Sequence, residues 1–259
     1  MFWKRKSKSV SASRNDFAIP HGQRVYAIGD IHGRDDLFAD LIGRIHADNA
    51  ARDSAEVTLI LLGDLVDRGP QSAQVIERAM GLRNEFDNLR HLIGNHEECF
   101  MAALTGDVRR VRYFMRIGGE ATVRSYWKGP IKLADASFEE VAEILPTTIP
   151  PSHIEFLGRG EDIIEIGDYV FVHAGIRPGV PLEKQTLVDL RWIREDFLTD
   201  EREHGVMIVH GHTIREDVDE CSNRIGIDTG AYQSGVLTAI VLEGADRHFL
   251  KTCDEIQAS

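Results

Sequence analysis

The chain has 259 residues, of which 42% are hydrophobic and 28% are charged, and its formal net charge is −12 at pH 7. This length accommodates one substantial domain or two small ones, and the composition is typical of a folded globular protein rather than a disordered chain. The acidic balance argues against general affinity for nucleic acid or anionic membrane, and no apolar run is long enough to span a bilayer.

The N-terminal residues 1–16 are basic and have no apolar stretch behind them, so they do not resemble a secretory signal. We expect a disordered tail there, followed by a single domain over residues 17–259. Three widely spaced cysteines, Cys99, Cys221 and Cys253, form no paired motif. Sparse, unpaired thiols indicate a reducing compartment, and we therefore expect a cytoplasmic protein.

Three strand–loop–helix units are predicted in the first hundred residues. Their strands are apolar runs at residues 24–28, 57–62 and 89–93. The helices between them are marked by apolar residues at helical spacing, namely Phe38, Leu41, Ile42 and Ile45, and then Val75, Ala79 and Leu82. A strand, a polar loop and a helix in repetition predict parallel βαβ units.

The remainder of the chain divides into a helical stretch and a strand-rich stretch. Residues from about 100 to 160 carry helical patterns and are predicted to form a helical insert beside the cleft. Within it we expect helix breaks at Pro146, Pro150 and Pro151. A hairpin at 163–172, with Gly167-Asp168 as its turn, and strands at 207–209, 224–227 and 236–242 follow. The predicted fold class is α/β, with two packed mixed β-sheets, helices on the outer faces and the helical insert.

Five glycine-containing polar clusters lie where predicted strands end. They are Gly29–Gly33, Gly63–Gly69, Gly94–Glu97, His173–Gly175 and Gly211–Thr213. Each cluster alone is a weak signal, since a Gly-Asp after a strand is usually a turn and a lone buried histidine is usually a core residue. Because open α/β sheets collect ligands at the carboxyl ends of their strands, we predict that the clusters converge in space.

The side chains of these clusters suggest a metal centre. Aspartate, histidine and asparagine are suited to Mn²⁺, Fe²⁺, Zn²⁺ or Mg²⁺. The candidate ligands are Asp30, His32, Asp64, Asn95, His173 and His212. Six ligands are too many for one tetrahedral ion and suit two ions that share a carboxylate. Two such ions about 3.5–4 Å apart can hold a hydroxide for in-line displacement at phosphorus.

The ordered motifs GDIHG, GDLVDRG, GNHE, HAG and GHT resemble those of the phosphoprotein phosphatase-type metallophosphatases in the calcineurin-like phosphoesterase superfamily. The plan is most similar to the small bacterial and phage members, such as bacteriophage lambda protein phosphatase. The resemblance covers about residues 24–242. It implies the metallophosphoesterase fold and two bound divalent ions, with Mn²⁺ expected.

The resemblance also implies a role for each matching residue. One metal would be held by Asp30, His32 and Asp64, and the other by Asp64, Asn95, His173 and His212. Arg68 and Arg194 would bind phosphate oxygens, and His96, oriented by Asp67, would protonate the leaving group.

The activity implied is hydrolysis of phosphoserine or phosphothreonine in proteins, and also of phosphotyrosine, by direct attack of the bridging hydroxide. An alternative is a symmetrical dinucleoside tetraphosphatase or another small-molecule phosphoesterase, because His173–Ile176 also resembles the corresponding segment of the tetraphosphatases. Those enzymes commonly lack the aspartate that Asp67 supplies here, which favours the protein phosphatase. Ile93 departs from the pattern, since many relatives have an arginine there. A non-catalytic module of the same fold is disfavoured because all six ligand positions are filled.

Overall fold

The structure, a computed structural model, describes residues 17–253, so the predicted basic tail at 1–16 lies outside the described residues. Ten strands are assigned within this range, and they are β1 Gln23–Ile28, β2 Glu56–Leu61, β3 Asn88–His91, β4 Ile164–Ile166, β5 Tyr169–Phe171, β6 Met207–His210, β7 Asp219–Glu220, β8 Arg224–Gly226, β9 Thr238–Glu243 and β10 Asp246–Lys251. The α-helices in the same range are α1 Asp35–Ala50, α2 Ser72–Gly81, α3 Asn95–Ala103, α4 Val108–Phe114, α5 Glu120–Tyr126, α6 Phe138–Thr148, α7 Pro151–Gly158, α8 Leu187–Trp192, α9 Glu195–Leu198 and α10 Ala231–Ser234.

These strands form two mixed five-stranded sheets. The first has the order β10-β9-β1-β2-β3, in which β1, β2 and β3 are parallel and the two C-terminal strands are antiparallel. The second has the order β4-β5-β6-β8-β7, with β5, β6 and β8 parallel. The parallel units and the β4–β5 hairpin predicted from the sequence are confirmed, whereas β7 and β10 were not predicted.

The two sheets pack face to face over a continuous apolar layer. Val25 and Ile60 contribute to it from the first sheet, and Phe171, Val209 and Ile225 from the second. All five side chains are fully buried. The opposite face of the first sheet is covered by helices that include α1 and α2, and the outer face of the second sheet packs against α8 and α9. The predicted α/β class, two packed mixed sheets flanked by helices, is confirmed.

Residues 95–158 hold five α-helices, α3 to α7, in the stretch predicted to be a helical insert. The predicted break at Pro146 is wrong, because α6 continues through it to Thr148. Pro146 stands in the last turn of that helix, so the N–H that it lacks removes one bond, to the carbonyl of Ala142, near the C-terminal end of the ladder. Pro151 begins α7, a position that suits its fixed φ angle. Across residues 17–253, none of the helices combines the length and the apolar character that crossing a membrane requires.

Candidate active site

The polar clusters that follow β1, β2, β3, β5 and β6 meet at one place, at the carboxyl ends of these strands, where loops of the two sheets contact each other. A shared backbone feature marks the site: among residues 17–253, five non-glycine residues have a positive φ, and all five belong to the predicted site. They are His32 (46°), Asp64 (50°), Asp67 (74°), Arg68 (67°) and His212 (63°). Such residues are uncommon and strained, and they cluster where side chains must be aimed at a ligand.

The first group of donor atoms is formed by His32, Asp64 and His96, whose candidate ligand atoms all lie within 4.8 Å of one another. His32 Nδ1–H donates to the carbonyl of Val66 at 2.8 Å, so its Nε2 carries the free lone pair. That Nε2 lies 3.5 Å from Asp64 Oδ2. Burial lowers the pKa of His32 to about 3, which keeps the ring neutral, as a metal ligand requires.

The second group is formed by Asp64, His173 and His212, again with all candidate ligand atoms within 4.8 Å. His173 Nδ1–H donates to the carbonyl of Leu62 at 2.8 Å. Its Nε2 lies 3.4 Å from Asp64 Oδ1 and 3.1 Å from Asn95 Oδ1. Asp64 therefore stands between the two groups, with one carboxylate oxygen facing each.

These two groups fit a pair of divalent cations. Nε2 of His32 and Nε2 of His212 are buried without a hydrogen-bond partner. His32 belongs to the first group and His212 to the second, and both groups contain Asp64. An unpaired buried nitrogen is costly, and a cation bound to it would remove that cost. Burial, followed by the charge of His173, lowers the pKa of His212 to about 2, so this ring is also neutral.

Asp30 belongs to neither donor group, although the sequence predicts it as a ligand. Its carboxylate accepts the backbone N–H of His212 at 3.0–3.1 Å. Burial, and next the nearby charge of Asp228, raises the pKa of Asp30 well above its usual range. Asp228 follows β8 and is itself buried. No role was predicted for it from the sequence, although a carboxylate after a strand was a usable signal. A cation near these two carboxylates would relieve their repulsion.

His96 and Asp67 form a buried hydrogen-bonded pair. His96 Nδ1 lies 2.6 Å from Asp67 Oδ2, and the backbone N–H of His96 donates to Asp64 Oδ1 at 3.1 Å. Nη2 of Arg68 lies 3.0 Å from His96 Nε2, and the Arg68 guanidinium sits 4.8 Å from the ring centroid of Tyr232. Tyr232 was not identified from the sequence. The predicted acid and its orienting carboxylate are thus adjacent to the predicted phosphate-binding arginine.

Glu97 holds the loop that carries Asp64. Its buried carboxylate accepts backbone N–H groups from Gly94 (2.9 Å), Asp64 (2.8 Å), Leu65 (2.8 Å) and Val66 (3.3 Å). Burial, together with the charge of Asp64, raises the pKa of Glu97 to about 7. The sequence placed Glu97 in a site motif but indicated no role for it, because its partners are backbone groups and those in the Asp64 loop are distant in the chain.

The helical insert also reaches the site. The backbone N–H of Arg68 donates to the carbonyl of Gly118 at 3.0 Å, and Thr122 Oγ1 donates to Asp67 Oδ1 at 2.6 Å. Neither contact was predicted from the sequence. Arg194, the second predicted phosphate-binding residue, is exposed at the edge of the site, with Nη1 3.4 Å from Thr213 Oγ1.

The fold and this arrangement of donors agree with a family comparison, in which residues 23–231 match the calcineurin-like phosphoesterase model. The chain belongs to the calcineurin-like phosphoesterase family. It is therefore a hydrolase of a family that depends on two metal ions, and the structure supplies residues able to bind them.

Two curated relatives are dinucleoside tetraphosphatases. A symmetrical bis(5'-nucleosyl)-tetraphosphatase from Acidovorax ebreus is 43% identical over 88 residues, which are 34% of this chain and 28% of the relative. The match thus spans less than a third of that relative's length. An asymmetrical bis(5'-nucleosyl)-tetraphosphatase, PrpE from Anoxybacillus flavithermus, is 27% identical over 233 residues, covering 82% of this chain and 88% of the relative.

Among solved structures, one provisionally described as a diadenosine tetraphosphatase superimposes with a TM-score of 0.60 at 21% identity, covering 91% of this chain and 98% of the other. At this identity the likeness concerns the fold.

Proposed function

We propose that the chain hydrolyses dinucleoside polyphosphates in a metal-dependent reaction. Metal-dependent hydrolysis is supported by one observation above all, the two groups of metal-donor side chains that share Asp64. The substrate class is supported by the activities for which the relatives are named, above all the asymmetrical tetraphosphatase that aligns over most of both chains. It corresponds to the alternative that the sequence left open, a symmetrical dinucleoside tetraphosphatase or another small-molecule phosphoesterase.

The metals would be held by residues of the two donor groups. His32 and Asp64, with Asp30 close by, would hold one ion, and Asp64, Asn95, His173 and His212 the other. When bound, the two ions would activate water and neutralise charge on the phosphate. This ligand chemistry is compatible with Mn²⁺, our proposed metal, and with Fe²⁺, Zn²⁺ or Mg²⁺.

The remaining tasks fall to side chains around the metal centre. Arg68 is half-buried beside His96 and Arg194 is exposed at the edge, so both guanidinium groups can reach a phosphate in the cleft. A forked guanidinium binds two phosphate oxygens at once, which fixes the orientation of the group. His96 would donate a proton to the leaving oxygen while Asp67 holds its other nitrogen.

The test is turnover of diadenosine tetraphosphate by the purified full chain with Mn²⁺. We expect hydrolysis that EDTA abolishes and that Asp64→Asn reduces by several orders of magnitude. Asp36→Asn, the same substitution at a residue whose side chain is 52% exposed, is the matched control and should leave the rate unchanged. Chromatography of the products separates symmetrical cleavage, which gives ADP alone, from asymmetrical cleavage, which gives ATP and AMP. Absence of any nucleotide product would overturn the proposal.

A phosphoprotein phosphatase is the second candidate, and the 2.6 Å pair of His96 and Asp67 favours it. A serine or threonine alkoxide leaves poorly unless it is protonated, whereas a nucleoside phosphate leaves readily, so a built-in acid benefits phosphomonoesters most. The discriminating measurement is kcat/KM for a phosphoserine or phosphothreonine peptide against that for diadenosine tetraphosphate. A preference of about a hundredfold for the peptide would reverse the order of the two candidates.

A further inference from the structure

Thr122 of α5 lies against the carboxylate of Asp67, 55 residues away in the chain. Thr122 is completely buried, and so is Asp67. The hydroxyl of Thr122 donates to Asp67 Oδ1 at 2.6 Å, and Oγ1 of Thr122 accepts the backbone N–H of Asp67 at 2.8 Å. Ser72 Oγ lies 2.9 Å from Thr122 Oγ1 and also accepts the Asp67 N–H, at 3.1 Å. A residue of the helical insert is therefore part of the environment of the proposed acid.

These contacts fix the Asp67 carboxylate through both of its oxygens. One oxygen binds Thr122, and the other binds Nδ1 of His96 at 2.6 Å. Because each oxygen has its own partner, rotation of the carboxylate about its bond to Cβ would break a buried hydrogen bond. The fixed carboxylate holds the proton on Nδ1 of His96, and only Nε2 then remains to face the substrate.

We propose that Thr122 is a positioning residue for proton donation by His96, acting through Asp67. The inference rests on the proposed hydrolysis of phosphate esters. In that reaction the bond between phosphorus and the leaving oxygen breaks, and that oxygen takes the proton from Nε2 of His96. The oxygen of a water molecule forms the new bond to phosphorus, and a proton released to solvent by that water balances the one that later restores His96. The helical insert thus contributes to catalysis without touching the substrate.

The reactivity of the leaving group provides the test. Phenyl phosphate needs protonation of its leaving oxygen much more than p-nitrophenyl phosphate does, so loss of a well-placed acid should affect the two substrates differently. With Mn²⁺ present, we expect Thr122→Val to lower kcat for phenyl phosphate by roughly 10–100-fold, a part of the full contribution of a general acid. For p-nitrophenyl phosphate the loss should be only a fewfold, and KM should change little for either substrate.

Three further variants separate positioning from packing. Thr122→Ser keeps the hydroxyl and should restore the wild-type ratio of the two rates. Ser125→Ala removes a hydroxyl from the same helix, one that contacts Ala73 and Thr122 backbone groups rather than Asp67, and should leave the ratio unchanged. If Thr122→Val is not recovered folded, Thr122→Cys preserves the size and weakens the donor.

A double-mutant comparison gives the decisive outcomes. In a His96→Asn background, Thr122→Val should change the ratio no further, because both substitutions remove the same function. Equal slowing of the two substrates by Thr122→Val, or an additional change of the ratio in the His96→Asn background, would overturn the inference. So would a wild type that hydrolyses neither aryl phosphate. The diadenosine tetraphosphate assay judges the proposed function separately.

Discussion

Nη2 of Arg68 lies 3.0 Å from Nε2 of His96. A guanidinium can only donate, so Nε2 of His96 must accept here, and the nitrogen that would protonate a leaving group carries no proton in this arrangement. A phosphate bound by Arg68 would compete with His96 for the same N–H groups. We therefore expect phosphate binding to free Nε2 of His96, which couples substrate binding to the state of the proposed acid.

The first prediction concerns this arginine. Arg68→Ala should lower kcat/KM for diadenosine tetraphosphate by roughly 10–100-fold, since charge-assisted hydrogen bonds contribute about 1.5–3 kcal/mol. Arg68→Lys should recover only part of the loss, because an ammonium cannot form the two parallel bonds of a guanidinium. Steady-state kinetics measures both, with Arg109→Ala, whose side chain is 93% exposed, as the control. Full recovery with lysine would argue against bidentate phosphate binding.

Metal binding should be visible as stability and stoichiometry. We expect two ions per chain by elemental analysis, and stabilisation of about 2.7 kcal/mol when the free metal is a hundredfold above its Kd. His212→Gln should reduce the stoichiometry. His210→Gln is the matched control: His210 is also buried with an unpaired Nε2, but its ring packs against Phe197 at 5.2 Å and belongs to neither donor group. Loss of metal in the control would show that burial, rather than ligation, decides the result.

Glu97 should be indispensable for the loop that carries Asp64. Glu97→Gln puts an amide NH₂ where one carboxylate oxygen now accepts backbone N–H groups, so at least one buried donor is left facing another donor. We expect a loss of roughly 2–4 kcal/mol in the free energy of unfolding, measured with denaturant, and weaker metal binding. Glu98→Gln, at the next residue, affects only surface contacts with Arg191 and Trp192 and should cost less than about 1 kcal/mol.

The convergence of the polar clusters was predictable because it follows from sheet geometry. Parallel strands with polar ends place those ends at one edge, and the periodic apolar residues identify the strands and helices. The backbone of the site was not predictable in the same way. His32 and Asp64 adopt left-handed conformations that local preference disfavours, and the packing of two sheets and several loops compensates for this strain.

The contribution of the helical insert could not be predicted either. Thr122 has no feature in the sequence that distinguishes it from other threonines on helices, and its contact with Asp67 depends on how α5 packs against α2. The role of Glu97 could not be predicted either, because its partners are backbone amides and not side chains. Sequence patterns thus indicate the side chains that point at the ligand more readily than those that hold them.

Acid should destabilise the protein in part through His91. Burial lowers the pKa of this ring, which stacks on Phe156, to about 4. Between that value and about 6.5, the ordinary pKa of histidine, the unfolded chain binds a proton that the folded chain does not. The stability contributed by the neutral ring is therefore complete above pH 6.5 and is lost as the pH falls towards 4.

His91→Phe should remove this sensitivity. Between pH 7 and pH 5, the free energy of unfolding of the wild type should fall by roughly 1–2 kcal/mol more than that of the variant. Urea titrations at the two pH values provide the measurement, with the exposed His21→Phe as the matched control. An identical pH dependence in wild type and His91→Phe would show that folding does not lower the pKa of His91.

The last prediction tests the second contact between the helical insert and the site. Gly118 has a φ of 119°, and a Cβ there would lie 2.8 Å from Cγ of Arg68. Gly118→Ala should strain this turn by about 1–3 kcal/mol and displace Arg68, lowering kcat/KM roughly tenfold. Gly158→Ala is the control, because a Cβ at this position would meet open space and alanine favours a helix more than glycine does. It should keep kcat/KM within about twofold of the wild-type value. If Gly118→Ala lowered the melting temperature but kept full activity, the position of Arg68 would not depend on the insert, and only Thr122 would connect the insert to catalysis.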